Sequence, residues 1–99
     1  MERENGTEGV NAVIHDELSQ KFYIKLYKDE AVLAYTQIND MIDVHTLVVP
    51  EGMENLEEAL IEAAFDYAAK NKIKIIPTEK KIKEYAENHP ETRNLIVEL

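Results

Sequence analysis

Asp43 and His45 stand two residues apart in Met41 to Val49, a run rich in β-branched residues. Side chains two apart on a strand share a face, so a carboxylate there can orient an imidazole for base chemistry. Neither a cysteine nor an evident serine nucleophile accompanies the pair, because the chain has no cysteine and Ser19 is its one serine. The plainer alternative for His45 is a half-buried strand histidine. A second candidate is Glu79, two residues past Pro77, which could serve as a general base towards an amine. Lys80, Lys81 and Lys83 follow at once, and an acidic residue in the first turn of a helix is ordinary dipole compensation, which is the favoured reading. His15, His45 and His89 lack metal-ligand spacing, so no metal site is expected.

The third chemical feature is Pro50 to Glu58, Pro-Glu-Gly-Met-Glu-Asn-Leu-Glu-Glu, where a strand ending near Val49 hands over to a helix beginning near Leu56. The first turn of such a helix presents unpaired N–H groups and the positive end of the dipole, a natural seat for a phosphate. Here the seat is ringed by Glu51, Glu54, Glu57 and Glu58, and neither Lys nor Arg occurs between Lys28 and Lys70.

The elements that carry these groups follow from the hydrophobic pattern. Val10 to His15 alternates weakly and Lys21 to Tyr27 clearly, with Phe22, Ile24 and Leu26 on one face and Tyr23, Lys25 and Tyr27 on the other. After Lys28 and Asp29, β-propensity residues resume over Glu30 to Gln37, which predicts a hairpin, and Asn39 and Asp40 mark the next turn. In Met41 to Val49 strict alternation puts Ile42, Val44, Thr46 and Val48 on one face and Met41, Asp43, His45, Leu47 and Val49 on the other. Asn55 as N-cap and Glu58 three residues on make a variant capping box, and Leu56, Leu60, Ala63, Ala64, Tyr67 and Ala68 form the core stripe of a helix running to about Asn71. Ile73 to Ile76 is a short buried strand, parallel to its predecessor through a right-handed crossover. Thr78 caps a second helix with Ile82, Tyr85 and Ala86 inward, stopped by Asn88, His89 and Pro90, and Leu95 to Val97 offers a last strand. The fold class is α/β with a mixed sheet: antiparallel strands first, then a β-α-β-α unit.

Ninety-nine residues suit one domain, with 1–9 a loose leader and 10–99 the folded unit. Eleven basic against twenty acidic residues give a net charge of -9, which disfavours nucleic acid and anionic membranes and favours a small molecule or a basic protein partner. The lack of cysteine, of a signal-like start and of any apolar run near the roughly 18 residues that span a bilayer points to the cytoplasm. Tyr23, Tyr27 and Tyr35 have no basic groove for base stacking and read as cross-strand pairs or a protein-binding surface. Exposed edges of so small a sheet leave room for a homodimer.

The order His15-Asp16-Glu17, Phe22-Tyr23-Ile24, His45-Thr46, Val49-Pro50-Glu51, the helix Leu60 to Ala68, Ile76-Pro77-Thr78 and His89-Pro90-Glu91 resembles the YjdJ type of minimal acetyltransferase in the GNAT superfamily, over roughly Val10 to Val97. The resemblance implies strands four and five that splay apart, with the pantetheine of acetyl-CoA against the backbone of Leu47, Val48 and Val49. It places the pyrophosphate on the amides around Gly52, Met53 and Asn55, and makes His45 and Thr46 candidates to line the acyl cleft. Two departures stand against the family pattern. A basic, glycine-containing segment is replaced by Gly52-Met53-Glu54-Asn55-Leu56-Glu57, and Glu79 occupies a position that is usually cysteine. Two functions follow. One is an acetyl-CoA-dependent N-acetyltransferase in which an amine attacks the thioester directly, its proton taken by His45, Glu79 or water. The other, which the loop chemistry favours, is a GNAT-like domain with weakened or lost acetyl-CoA binding that acts as a small interaction module.

Overall fold

The computed structural model describes residues 12–97. The expected leader over 1–9, and the start of a first strand at Val10, lie outside the described residues. Among the described residues five strands form one sheet in chain order: β1 (Ile14–Asp16), β2 (Lys21–Lys25), β3 (Glu30–Ile38), β4 (Met41–Val48) and β5 (Lys74–Ile76). The first four are antiparallel neighbours, and β5 joins β4 in parallel. Two helices, α1 (Asn55–Asn71) and α2 (Lys80–Asn88), and a 3-10 turn over Pro90–Leu95 complete the described chain.

The hairpins form where the sequence supplies turns. Leu26 N–H donates to Asp29 O at 2.9 Å to close β2 to β3, and Asn39, at φ 55, takes the left-handed conformation between β3 and β4 that Asn tolerates well. Helix α1 buries Leu56, Leu60, Ile61, Ala64, Phe65 and Ala68, the stripe expected of a helix laid on a sheet. Lys72, at φ 56, ends it with an N–H to Ala68 O and turns the chain into β5. The crossover makes β4 and β5 parallel as expected. Ile82 and Ala86 of α2 join the same core as Ile24, Leu33, Ile42 and Leu60, and Tyr85 stacks on Phe65 at 5.2 Å between ring centres. Both helices therefore lie on one face of the sheet. Tyr23, Val32, Ala34 and Thr36, on the other face, are half-buried or exposed.

Strand β4 departs from strict alternation. Ala34 pairs with Thr46 and Tyr35 with Val44, so His45 is an extra residue with no partner, a β-bulge. Ile42 and Val44 face the core before it, and Leu47 and Val49 pack against the core after it, while Val48 is 58% exposed. The expected grouping of Thr46 and Val48 with Ile42 and Val44 is thus corrected, because one inserted residue flips every later side chain. At the chain's end Ile96 makes a single parallel bridge to Ile75, and Val97 N–H donates to Ile75 O, in place of a full sixth strand.

Candidate functional site

Strand β5 pairs with β4 only from Met41 to Asp43. Beyond that, Pro77 and Thr78 step away, with Thr78 N–H on Ile76 O, and the chain returns for one bond from Glu79 N–H to Val44 O at 2.8 Å. From His45 onward this edge of β4 has no strand partner among the described residues, and a wedge opens between it and the start of α2. The resemblance implies strands four and five that splay apart; here their ladder ends at Asp43 and Ile76, two residues before the bulge at His45.

The turn from Pro50 to Glu54 joins the end of β4 to α1. Gly52 adopts φ 85, which glycine accommodates without strain, and Met53 N–H closes the turn on Pro50 O at 3.0 Å. This turn delivers Glu54 already in helical geometry, so Glu54 and not Asn55 occupies the N-cap position, and the predicted Asn55–Glu58 capping box does not form. The Glu54 side chain caps no helix amide. Instead its carboxylate accepts the Gly52 N–H at 3.2 Å. Leu56 and Glu57 amides are taken by Met53 O and Glu54 O, whereas those of Glu54 and Asn55 have no acceptor among the described residues. Two amides without an acceptor remain for an anion, and a carboxylate sits on a third.

A cation does reach this place, from a direction the local sequence does not show. Lys81, in the first turn of α2, puts Nζ 2.7 Å from Glu57 Oε2 in the first turn of α1. The hydrogen bond to Glu57 is the main reason the Lys81 ammonium titrates above its ordinary range. Glu57 and Lys81 are 24 apart in sequence, and only the packing of the two helices brings them together.

His45 is exposed at the bulge and does not pair with Asp43. Its Nε2 lies 3.1 Å from Thr36 Oγ1 and its Nδ1 2.8 Å from Thr46 Oγ1, so two hydroxyls hold the ring. The bulge separates two residues that regular alternation would have set side by side. Asp43 Oδ1 is enclosed and receives no hydrogen bond among the described residues. Glu79 serves α2: both its carboxylate oxygens accept Lys81 N–H, at 3.1 and 3.3 Å, so the cap is Glu79 and not the expected Thr78. A longer, charged acceptor one residue nearer the helix displaces the threonine. Of the residues that the resemblance assigns to the cofactor, Gly52, Met53 and Asn55 are exposed at the loop, Val48 is exposed on the strand, and Leu47 and Val49 turn to the core.

Sequence reasoning did not find an aromatic cluster over β1 to β3. His15 stacks on Phe22 with centres 4.0 Å apart and meets the edge of Tyr67 at 4.5 Å, while its Nε2 lies 2.6 Å from the Tyr35 hydroxyl. Burial lowers the His15 pKa and pushes that of Tyr35 up to about 12. Tyr35 is therefore a core residue, not part of a protein-binding surface with Tyr23 and Tyr27. Among the described residues no group of three or more His, Asp or Glu could hold a metal ion, and no helix is long and apolar enough to cross a membrane.

The family model described as GCN5-related N-acetyl-transferase matches residues 21–95. The solution structure of a GCN5-like candidate N-acetyltransferase from Staphylococcus aureus superposes with a TM-score of 0.72 at 21% identity, over 91% of each chain. At that identity the likeness speaks for the fold. No curated protein sequence matches the chain.

Proposed function

The chain belongs to the GCN5-related N-acetyltransferase family, and from that premise we propose that it is a member with weakened acetyl-CoA binding that works as a small binding module, of the YjdJ type. The Glu54 carboxylate on the Gly52 amide carries the reading. The wedge and the open β4 edge fit a pantetheine arm. The loop does not fit a pyrophosphate: where the family's architecture calls for donors and cations, one amide is spent on a carboxylate, and Lys81, which reaches the first turn of α1, is held by Glu57. Like charges about 5 Å apart repel by about 1 kcal/mol in water and several times that in a partly buried site. The same carboxylates, on a chain of net charge -9, suit a basic protein segment or a small cationic molecule.

The second reading, an active acetyl-CoA-dependent N-acetyltransferase, draws on the two unpaired amides of Glu54 and Asn55 and on the position of His45 at the apex of the wedge. Titrating the labelled protein with acetyl-CoA while following backbone amides separates the two. Weak or absent shifts over Val48 to Leu60 at millimolar cofactor are expected, and saturable shifts there at micromolar cofactor overturn the module reading.

A further inference from the structure

A cavity of about 530 Å³ lies away from the wedge, between the end of β5, α2 and the 3-10 turn. That volume is in the range of small-molecule sites. Helix α2 separates it from the cleft: Lys81 and Tyr85 face α1, whereas Lys83 and Glu87 line the cavity. Its floor is apolar, with Ile76 and Ile96 contributing, and its polar groups are Thr78, Lys83, Glu87 and Arg93.

The charges at this cavity run against those of the chain. Lys83 and Arg93 both border it, and neither has a carboxylate within ion-pair distance among the described residues, although acids outnumber bases almost two to one overall. Among the described lining residues, two cations against Glu87 leave one net positive charge. We propose that this cavity binds a small organic monoanion, a carboxylate carrying an apolar tail. Arg93 offers a planar fork that suits a carboxylate, Lys83 a second charge and Thr78 a hydroxyl donor, while the isoleucines cover the tail. Glu87 disfavours a doubly charged ligand. This site is independent of the acetyl-CoA reading, since it shares no residue with the loop or with β4.

The test is an amide titration of the full chain with hexanoate, and with hexanamide and hexylamine as matched neutral and cationic probes. Hexanoate is expected to shift Thr78, Ala86, Arg93 and Ile96 saturably, with a Kd of about 1 mM, as suits a ligand of this size. Both cations are exposed, so Lys83→Gln and Arg93→Gln leave the melting profile intact, and each weakens hexanoate about tenfold through loss of a charge-assisted contact. Glu87→Gln tightens it. An equal response to hexanamide, no saturable shift with hexanoate, or hexanoate affinity unchanged in both cation variants would each overturn the proposal.

Discussion

Replacing Glu54 with alanine should convert the loop from a poor anion seat to a usable one. The substitution frees the Gly52 amide now bonded at 3.2 Å and leaves three amides without an acceptor, at positions 52, 54 and 55. A charge-assisted hydrogen bond to a phosphate oxygen is worth about 1.5 to 3 kcal/mol. Removing a carboxylate about 5 Å from that phosphate relieves about 1 kcal/mol in water and about 3 at an effective dielectric of 20. The loop is exposed, so the lower ends apply. Their sum, about 2.5 kcal/mol, corresponds to acetyl-CoA binding about 50- to 100-fold tighter. Little stability is at risk, because the Glu54 side chain caps no helix amide and contributes only a dipole interaction of about 0.3 to 1 kcal/mol. Calorimetric titration of the parent and Glu54→Ala at low ionic strength measures the difference. Repetition near 1 M salt, where the Debye length is about 3 Å, should erase the Coulomb part and keep the hydrogen-bond part. Tightening of less than about threefold at low salt would refute the reasoning and place the obstruction elsewhere in the wedge.

Glu57→Gln should release Lys81: its raised pKa falls back towards that of a free lysine, visible in a side-chain titration by NMR, and acetyl-CoA binds more tightly. An unmoved Lys81 titration would mean that the pair does not form in solution. Tyr35 titrates near 12 in the folded chain against about 10 when unfolded, so its contribution is complete below pH 10 and is lost as pH rises through 12. Urea unfolding at stepped alkaline pH should show that loss in the parent and not in Tyr35→Phe, and parallel curves would contradict it. Gly52→Ala meets no atom within 4 Å of the new Cβ, so its cost is conformational, about 1 to 2 kcal/mol for a side chain at φ 85. That lowers the melting temperature by several degrees, at about 4 to 8 °C per kcal/mol. An unchanged melting temperature would show that the turn relaxes out of this conformation.

The elements were legible wherever a side-chain period is long enough to repeat. The α1 stripe and the inward Ile82 and Ala86 follow from spacing, Glu30 to Gln37 from its β-propensity after a turn, and the parallel β5 from the crossover helix, which leaves little choice. The bulge at His45 was not legible. Alternation through Val44-His45-Thr46-Leu47 looks continuous, and only the pairing with Ala34 and Tyr35 reveals the inserted residue. The two helix caps were each misplaced by one residue, because a candidate Asn or Thr stood next to a glutamate whose position relative to the incoming turn decides the matter. The acidic character of the loop could be read directly. The Glu54 hydrogen bond to Gly52 and the arrival of Lys81 could not, since one depends on a single glycine dihedral and the other on how two helices lie together.

The strands lie side by side in the order in which the chain makes them, and this has a consequence for how the molecule assembles. From β1 to β4 each strand meets its predecessor through a short turn, so that part can zip up locally. The β4–β5 junction must wait for the whole of α1, and the loop-closure cost falls there. That junction should form last and be the first to open, which native-state hydrogen exchange at Ile75 and Ile76 would register as protection below that of Leu33 or Ile24. The wedge is therefore a seam between strands that pair locally and a tail that must dock on them. Any molecule that bridges the seam, however loosely held, gains part of its effect by fastening residues 74–97 to the rest of the protein.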